Sequence, residues 1–587
     1  MDGYRPPLKD MRFVLEHWLD APGHWARTPA FCNLDAALAA QVLDEAGRFA
    51  SEVLAPLNAE GDREGCRLID GRVQTPRGFA DAYAAYVGAG WPSLVCEVAD
   101  GGQGLPGTLD AALQEMVYAA NHGWAMYTGL SHGAYQCLKA HAPESLCAEY
   151  LPGIVSGEIL PTMCLTEPQA GSDLGLLRCR AEQESDAYRI TGTKCFISGG
   201  DHDLTDNILH LVLARLPDAP AGTRGLSLFA VPRSIDGIDN GVTCGALEHK
   251  MGIKGSATCE LVFEQACGWL VGEANKGLAA MFVMMNAARL HVGLQGLGHA
   301  ESALQVAEAY ALERRQMRAP RSRDTERSAM PDLISRHPAI RRTLLDLRAF
   351  TEGMRCVGYW AADLLDAADH AESPNIRQQA GELAGVLTPM IKAFFTEKGF
   401  LLASDALQVF GGYGYTSDYP IEQTLRDSRI GMIYEGTNEI QAIDLVVRKI
   451  NGDDGAAYGR LLGIFEREAA LACEREHDRP LAERYLAQCD SARALVRQLL
   501  ETAELDPEYP YRVAQDFLRM TAMLALGYAW LRTLRCLPER DSEWAHRKSE
   551  SARHFFIYLW PDVIRFGALI EAGRAPLGEV DRGYAFR

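Results

Sequence analysis

The 587-residue sequence lacks an excess of basic residues, a long apolar run and a leader-type segment. Its 58 Lys and Arg residues stand against 78 Asp and Glu residues, for a formal charge of −20. Nucleic acid and anionic membrane surfaces favour clustered basic side chains, so neither is an expected partner. No run of eighteen apolar residues predicts a membrane span, and the N-terminus has no apolar core of the signal-peptide type. We therefore expect a cytoplasmic enzyme without stable membrane insertion.

The 15 cysteines show no Cys-x-x-Cys pair and no regular spacing that would predict a metal site. Scattered cysteines of this kind are typical of buried thiols in a reducing compartment. Cys164 and Cys195 lie in apolar, strand-like runs, where packing is favoured over redox chemistry. We expect no metal ion.

The chain is too long for a single core, and its hydrophobic periodicity changes along the sequence. We predict an N-terminal helical domain over residues 1–160 and a middle antiparallel β-domain over 161–273, where apolar residues alternate. A helical bundle is predicted over 274–451 and an added helical domain over 455–587, after a Gly- and Asp-rich break. The predicted class is α+β, mainly α, with a C-terminal four-helix bundle followed by the extra helices.

The segment Ile433–Gln441 sets Glu435 beside Gly436, just before an apolar run with helical period. Thr437 or Asn438 can cap that helix, and Asn438 with Gln441 resembles a capping box. Glu435 would then lie on a turn just outside the helix. A solvated surface glutamate is the commoner situation for a Glu-Gly pair, but a carboxylate on such a turn is also where a catalytic base could sit.

Two glycine-containing segments call for different interpretations. The turn Thr166–Ser172 combines proline with a glycine that lets backbone N–H groups approach a ligand, so it could cradle a phosphate or a flavin edge. Gly293, Gly296 and Gly298 lie inside a helical pattern instead, and they predict a close helix-packing face, not a dinucleotide fingerprint.

Four motifs in this order resemble those of the acyl-CoA dehydrogenase family: Met163–Leu174, Lys194–Gly200, Leu407–Gly414 and Tyr434–Gln441. The opening segment Tyr4–Leu15 and the long C-terminal tail are similar to a long bacterial branch of that family. This branch includes long-chain acyl-CoA and 3-(methylthio)propionyl-CoA dehydrogenases. The order of helical, β and helical segments is what the resemblance implies as well.

The resemblance implies an FAD site that is shared between two subunits. The segments around Thr166 and Phe196 would contact the flavin, and Arg314 with the glycine turn after Gln408 would reach the FAD of a neighbouring subunit. The cofactor-binding residues implied are Met163, Leu165, Thr166, Gly171, Ser172, Phe196, Ile197, Ser198, Arg314, Gln316, Gln408, Gly411, Gly412, Thr437 and Glu439. A homodimer is expected, with a tetramer left open.

Two positions depart from the family pattern. His337-Pro338 replaces a His-Gln contact pair, and Glu439 stands where many members have Gln near the flavin. A carboxylate beside a pyrophosphate is unfavourable unless it turns away.

The resemblance also implies a substrate site and a base. Ser172, Asn286, Arg289, Tyr434 and Gly436 would contact acyl-CoA. Some family branches place the catalytic glutamate immediately before the arginine, where this chain has Ala288, so the base is expected to be Glu435. Its backbone N–H would polarise the thioester carbonyl, its carboxylate would take the α-proton, and the β-hydride would pass to flavin N5.

The implied activity is oxidation of a fatty acyl-CoA to trans-2-enoyl-CoA, with electrons passed to an electron-transfer flavoprotein. Alternatives that stay open are an acyl-CoA oxidase on the same scaffold and a 3-(methylthio)propionyl-CoA dehydrogenase. A DNA-binding damage-response flavoprotein is disfavoured by the acidic charge and by the presence of Glu435. The acyl chain length does not follow from the sequence.

Overall fold

The computed structural model describes residues 3–320, 330–538 and 542–578. Its first part is helical, apart from a short hairpin of strands β1 and β2. The elements are α1 Leu8–Phe13, α2 Ala21–Ala26, α3 Ala36–Arg48, α4 Ala55–Glu64, β1 Arg67–Ile69, β2 Arg72–Gln74, α5 Phe79–Gly88, α6 Gly107–Thr128, α7 Ser131–His141 and α8 Glu144–Ser156. Helix α6 is almost wholly buried and has a kink at Asn121, where φ is −160° and ψ is 87°.

The middle of the chain forms a seven-stranded sheet and a small hairpin of β8 and β9. The strands are β3 Ile159–Cys164, β4 Arg180–Glu184, β5 Ala187–Ser198, β6 Asn207–Arg215, β7 Leu226–Pro232, β8 Ser234–Ile235, β9 Ile238–Asp239, β10 Val242–Leu247 and β11 Thr258–Val271. The sheet order is β10-β11-β5-β4-β6-β3, and β7 pairs with both β11 and β6.

The prediction of a purely antiparallel β-domain is wrong in one respect, because the sheet is mixed. Strand β3 pairs with β6 in parallel, from Ile159 opposite Asn207 to Cys164 opposite Val212. In the sequence, the hairpin of β4 and β5 separates β3 from β6. After this hairpin the chain runs along β6 in the same direction as along β3. The predicted α+β, mainly helical class is confirmed.

The next part of the chain is a bundle of long helices. They are α9 Gly277–Glu313, α10 Pro338–His370, α11 Pro374–Phe410, α12 Ile421–Ser428 and α13 Asn438–Ile443, with a π-helical continuation over Asp444–Ile450. The glycine face predicted on α9 is confirmed. A Cβ on Gly296 would lie 2.3 Å from the Phe395 carbonyl oxygen of α11, and one on Gly298 would lie 2.8 Å from the Ala119 nitrogen of α6.

Helix α9 is also long and apolar enough to cross a membrane, with a mean hydropathy of 1.3 in its most apolar window. That window is 56% buried inside the fold, and a central bundle helix meets the same criterion.

The last part is again helical and packs on the bundle. Its helices are α14 Ala456–Cys473, α15 Arg479–Leu505, α16 Tyr509–Cys536, α17 Glu543–His554 and α18 Pro561–Ala572. Helix α16 contacts α10, α11 and α13, so the added helices lie directly behind the segment that follows Glu435.

A buried ion cluster joins distant parts of the chain. The Arg355 guanidinium on α10 donates to Glu115 on α6 at 2.6 Å, to Asp10 on α1 at 2.7 Å and to Glu301 on α9 at 2.5 Å. Asp10 also pairs with Lys548 on α17. A single arginine therefore links the N-terminal segment and two core helices, and Asp10 extends the cluster to the C-terminal helices.

Candidate active site

Glu435 lies on a tight turn that leads into α13. Its φ of +55° is in the left-handed region, which costs a non-glycine residue roughly 1–2 kcal/mol, and Gly436 follows with φ +81°. Thr437 caps α13, as predicted, because its Oγ1 accepts from the Ile440 N–H at 3.4 Å. The turn therefore sets the Glu435 side chain apart from the axis of the helix.

The predicted capping box does not close in its expected form. Gln441 does not reach back to the helix N-terminus but donates to the carbonyl oxygen of Glu435 at 3.0 Å and more weakly to that of Gly436 at 3.4 Å. The Asn438 side chain instead donates to the Ala393 carbonyl on α11 at 2.9 Å. The expected pairing of Asn438 with Gln441 is thus replaced by local bonds from Gln441 to the turn and one long-range bond from Asn438 to α11.

The Glu435 residue is partly exposed, but its Oε2 is shielded from solvent and has no hydrogen-bond partner in the described part of the chain. Burial raises the pKa of Glu435 to about 7, and the positive charges of Lys392 and Arg289 oppose the rise. Since a general base works best when its pKa lies near the working pH, this carboxyl group is suited to accept a proton. No acceptor is found among the described residues for the backbone N–H of Glu435.

Arg289 on α9 lies on the same side of the bundle. Its guanidinium donates to Asp444 at 3.3 Å and to the exposed Asn286 at 3.4 Å, while its buried Nε has no partner among the described residues. Burial lowers the pKa of Arg289, and Asp444 opposes that effect. Ala288 is buried beside Arg289 and offers no carboxylate.

Tyr434 reaches into a polar cluster between α6 and α9. Its hydroxyl bonds to Gln295 Oε1 and lies 3.4 Å from His122 Nε2, and His299 Nε2 lies 2.9 Å from His122 Nδ1. One consistent assignment has His299 donating to His122, His122 to Tyr434, and Tyr434 to Gln295. Burial lowers the pKa of both histidines, that of His299 to about 4, so the cluster is uncharged at neutral pH.

The turn Thr166–Ser172 lies at the end of β3, whose partly buried Met163 pairs with Leu211. A buried ion pair holds the turn from beneath: Lys194 Nζ lies 2.8 Å from Glu167 Oε1 and donates to the Leu165 carbonyl at 2.9 Å. Glu167 also accepts from the backbone N–H groups of Arg178 and Cys179. The exposed Gly171 and Ser172 thus belong to a turn that is fixed by buried bonds.

Beside this turn, β5 ends in the predicted flavin wall. Phe196 has φ +61° and is 62% exposed, whereas Ile197 is buried beneath it and Ser198 pairs with Thr258. The Cys195 N–H donates to the Thr166 carbonyl at 3.0 Å, which joins the wall to the turn. An apolar side chain held outward next to an open glycine turn fits the flat ring and the polar chain of FAD.

The other predicted cofactor residues gather at the far end of the bundle. The Arg314 guanidinium lies 5.4 Å from the ring centre of Tyr413, and Gln316 follows on an exposed segment. Gln408, Gly411 and Gly412 are exposed at the end of α11, and a Cβ on either glycine would meet no neighbouring group within 4 Å. No hydrogen bond or ion pair within residues 3–320, 330–538 and 542–578 joins this end to the Thr166–Ser172 turn.

The Glu439 carboxylate bonds to the added helices but stays near the turn. Gln515 on α16 donates to its Oε1 at 3.0 Å, while the Thr437 side chain and the charge of Lys392 also act on this carboxylate and help to lower its pKa. The His337 departure is also accommodated locally, because His337 Nε2 lies 2.9 Å from the Gln316 carbonyl oxygen.

Sequence reasoning assigned no role to several residues that shape the site: Glu167, Lys194, His122, Gln295 and Lys392. A signal existed for Lys392, a lone charge within the apolar run Met390–Phe395. Glu167 and Lys194 lie inside recognised motifs, but their pairing spans 27 positions and has no local signature. His122 and Gln295 become neighbours only when α6 packs on α9.

Comparison with known proteins agrees with this architecture. Family models for the middle and C-terminal domains of acyl-CoA dehydrogenase match residues 162–266 and 275–450. A third model, described as acetyl-CoA dehydrogenase C-terminal like, matches residues 465–581.

Similar proteins extend over most of the chain. A 3-methylmercaptopropionyl-CoA dehydrogenase of Ruegeria pomeroyi is 41% identical over 538 residues, covering 89% of this chain and 90% of its own. The broad-specificity linear acyl-CoA dehydrogenase FadE5 of Mycobacterium tuberculosis is 34% identical, with 90% and 89% covered. The fold resembles that of Caenorhabditis elegans ACDH-11 in complex with C11-CoA, with a TM-score of 0.77, 20% identity and coverage of 97% and 95%.

Proposed function

We propose that Glu435 is the base in this chain, which belongs to the acyl-CoA dehydrogenase family and is therefore an FAD-dependent enzyme that oxidises acyl-CoA. The observation that supports this most is the shielded, unpartnered Oε2 of Glu435 on a strained turn. Ala288 removes the alternative position for a base. The direct test is the rate of flavin reduction in a Glu435→Gln variant.

In the proposed mechanism the chain supplies proton removal and polarisation of the thioester. The N–H of Glu435, which has no acceptor among the described residues, donates to the thioester oxygen and stabilises the developing enolate. The carboxylate of the same residue takes the α-proton, and Tyr434 and Gly436 border the thioester. Bound FAD would supply the acceptor for the β-hydride. The loss of one proton and one hydride leaves trans-2-enoyl-CoA.

We further propose a short acyl chain with a polarisable atom, such as that of 3-(methylthio)propionyl-CoA. The support is the cluster of Tyr434, Gln295 and His122, which forms a polar floor one residue from the proposed base. Met126 adds a sulfur 3.7 Å from the Tyr434 hydroxyl. An alkyl chain that runs into this cluster would break its hydrogen bonds without replacing them, which costs about 1–3 kcal/mol for each buried polar group left unpaired.

An activity series tests the substrate proposal. We expect 3-(methylthio)propionyl-CoA and butyryl-CoA to give higher kcat/KM values than octanoyl-CoA or lauroyl-CoA. Tyr434→Phe, which removes one hydroxyl from the polar floor, should raise kcat/KM for the longer substrates relative to kcat/KM for the shorter ones. A wild-type preference for lauroyl-CoA would contradict the assignment.

We also propose a homodimer in which each FAD site takes residues from both subunits. Arg314 and the Gly411–Gly412 turn form an end of the bundle that makes no bond to the Thr166–Ser172 turn in the described part of the chain, although both are predicted to hold FAD. Around that end Met317 is 77% exposed and Tyr415 is 88% exposed. A second copy would cover these apolar side chains and bring the two halves of the cofactor site together.

The proposal also covers the electron acceptor and the cellular compartment. The similar proteins are named dehydrogenases, which favours an electron-transfer flavoprotein over oxygen. All 15 cysteines are free thiols, in keeping with a reducing cytoplasm. We place the enzyme in cytoplasmic acyl-CoA β-oxidation.

A further inference from the structure

Lys392 is a fully buried lysine next to the turn that carries Glu435. It lies in the middle of α11 with 0% of its surface exposed. Its Nζ donates to the Gly436 carbonyl at 2.6 Å and to Asn438 Oδ1 at 3.2 Å, and neither acceptor is charged. Removing an ammonium group from water costs several kcal/mol, so neutral hydrogen bonds alone repay little of that cost.

The same stretch of α11 holds the turn at further points. Asn438 donates to the Ala393 carbonyl at 2.9 Å, and Thr396 Oγ1 donates to Asn438 Oδ1 at 3.3 Å. These contacts fix the residues just after Glu435, whose own backbone is strained by its positive φ. Lys392 is the only one of the three α11 residues that brings a charge to this position.

The charges that face Lys392 come from three other elements. Glu435 approaches from the turn, Arg289 from α9 and Glu439 from α13. Burial lowers the pKa of Lys392 to about 7, and the charge of Glu435 opposes that effect. In return, the Lys392 charge favours the carboxylate form of Glu435 against burial. Arg289 acts in the same direction on Glu435 but is partly neutralised by Asp444.

We propose that Lys392 is a positioning residue for the reaction: its ammonium group holds the Glu435 turn through Gly436 and Asn438 and places a positive charge beside that turn. This inference rests on the proposed role of Glu435. It assigns to Lys392 two separable effects, one through hydrogen bonds and one through charge.

Two variants separate these effects. Lys392→Gln keeps a hydrogen-bond donor but loses the charge, whereas Lys392→Met loses both. Flavin reduction by saturating acyl-CoA is measured by anaerobic stopped flow from acidic to alkaline pH, at equal FAD content. The rate rises with pH as Glu435 ionises, and in the wild type the Lys392 charge favours this ionisation until Lys392 itself loses its proton near pH 7. Loss of that charge in the variants should therefore move the start of the rise to higher pH by about 1 unit.

We expect both Lys392→Gln and Lys392→Met to show the pH shift. In Lys392→Met the rate of flavin reduction at high pH should also be at least tenfold lower than in the wild type. Lys392→Arg stays charged at every pH used, so its rise should lie at the wild-type position or at lower pH. The control is Lys398→Met, a partly buried lysine on the same helix that stacks on Phe350 at 4.1 Å and should leave the rise in place. If the Met variant does not fold, the Gln variant decides the question.

A uniform loss of rate with no shift in pH would show that Lys392 is only structural and would overturn the inference. Glu435→Gln distinguishes this from a failure of the underlying proposal. If that variant reduces flavin at the wild-type rate, Glu435 is not the base. If it is inactive while the Lys392 variants show no shift, only the role of Lys392 is refuted.

Discussion

Replacing Glu435 by Gln tests the chemistry most directly, because it removes the base and little else. The amide has nearly the same shape, and the backbone N–H and the bonds from Lys392 and Gln441 to the turn remain. The buried Oε2 has no partner to lose among the described residues. Neutralising it also removes a desolvation penalty, so we expect folding, FAD binding and acyl-CoA binding to be retained.

The rate of flavin reduction should fall by about 10² to 10⁴, the usual contribution of a positioned general base. This corresponds to about 3–5 kcal/mol in the activation barrier. Among the described residues, the carboxylates near Glu435 have other partners: Asp444 pairs with Arg289 and Glu439 accepts from Gln515, while position 288 is alanine.

The assay is anaerobic stopped flow, with flavin absorbance recorded after mixing with 3-(methylthio)propionyl-CoA or butyryl-CoA. Glu397→Gln is a matched control, since Glu397 is a partly buried glutamate on α11 that pairs with Arg519 at 3.1 Å and does not face the turn. The control should bleach at close to the wild-type rate. A Glu435→Gln variant that bleaches as fast as the control would refute the reasoning.

Three further outcomes are expected. Arg314→Ala should yield protein with less bound FAD, measured by absorbance after gel filtration, and a fully active monomer in sedimentation would contradict the shared site. Turnover with an electron-transfer flavoprotein or a ferrocenium dye should far exceed oxygen consumption, whereas comparable peroxide production in air would indicate an oxidase. Arg355→Met leaves Glu115 and its neighbours without their buried partner, so it should destabilise the protein by about 3–5 kcal/mol in urea unfolding; an unchanged unfolding midpoint would show that the cluster contributes little.

The local features of the site could be predicted from the sequence. Thr437 is a side-chain cap directly before an apolar run, and the glycines of α9 interrupt a helical pattern at close spacing, so each signal lies within one segment. The local pattern around Gly436 predicts a turn at Glu435, but the role of Glu435 as base follows from the family resemblance and from Ala288. The positive φ of Glu435 was not predicted, because the strain depends on contacts from α11 and Gln441 that hold the turn.

What the sequence did not predict depends on pairing between distant segments. The parallel partner of β3 lies more than 40 residues away and follows a hairpin, so alternation of apolar residues specifies a strand but not its neighbour. The same holds for the polar floor, where His122 and Gln295 are 173 positions apart in sequence. In both cases the chemistry depends on which elements pack together, and periodicity within one element does not encode that choice.

The added helices contact the site, although they are distant from Glu435 in the sequence. Helix α16 packs on α13, and its Gln515 donates to the Glu439 carboxylate in the first turn of that helix. The same helix contacts α10 and α11, and α11 carries Lys392. The added helices therefore pack against the helix that follows the turn, while Lys392 bonds to the turn from the bundle side. Since Glu435 is strained and its Oε2 has no partner among the described residues, such support from two sides keeps the base in place before the substrate binds.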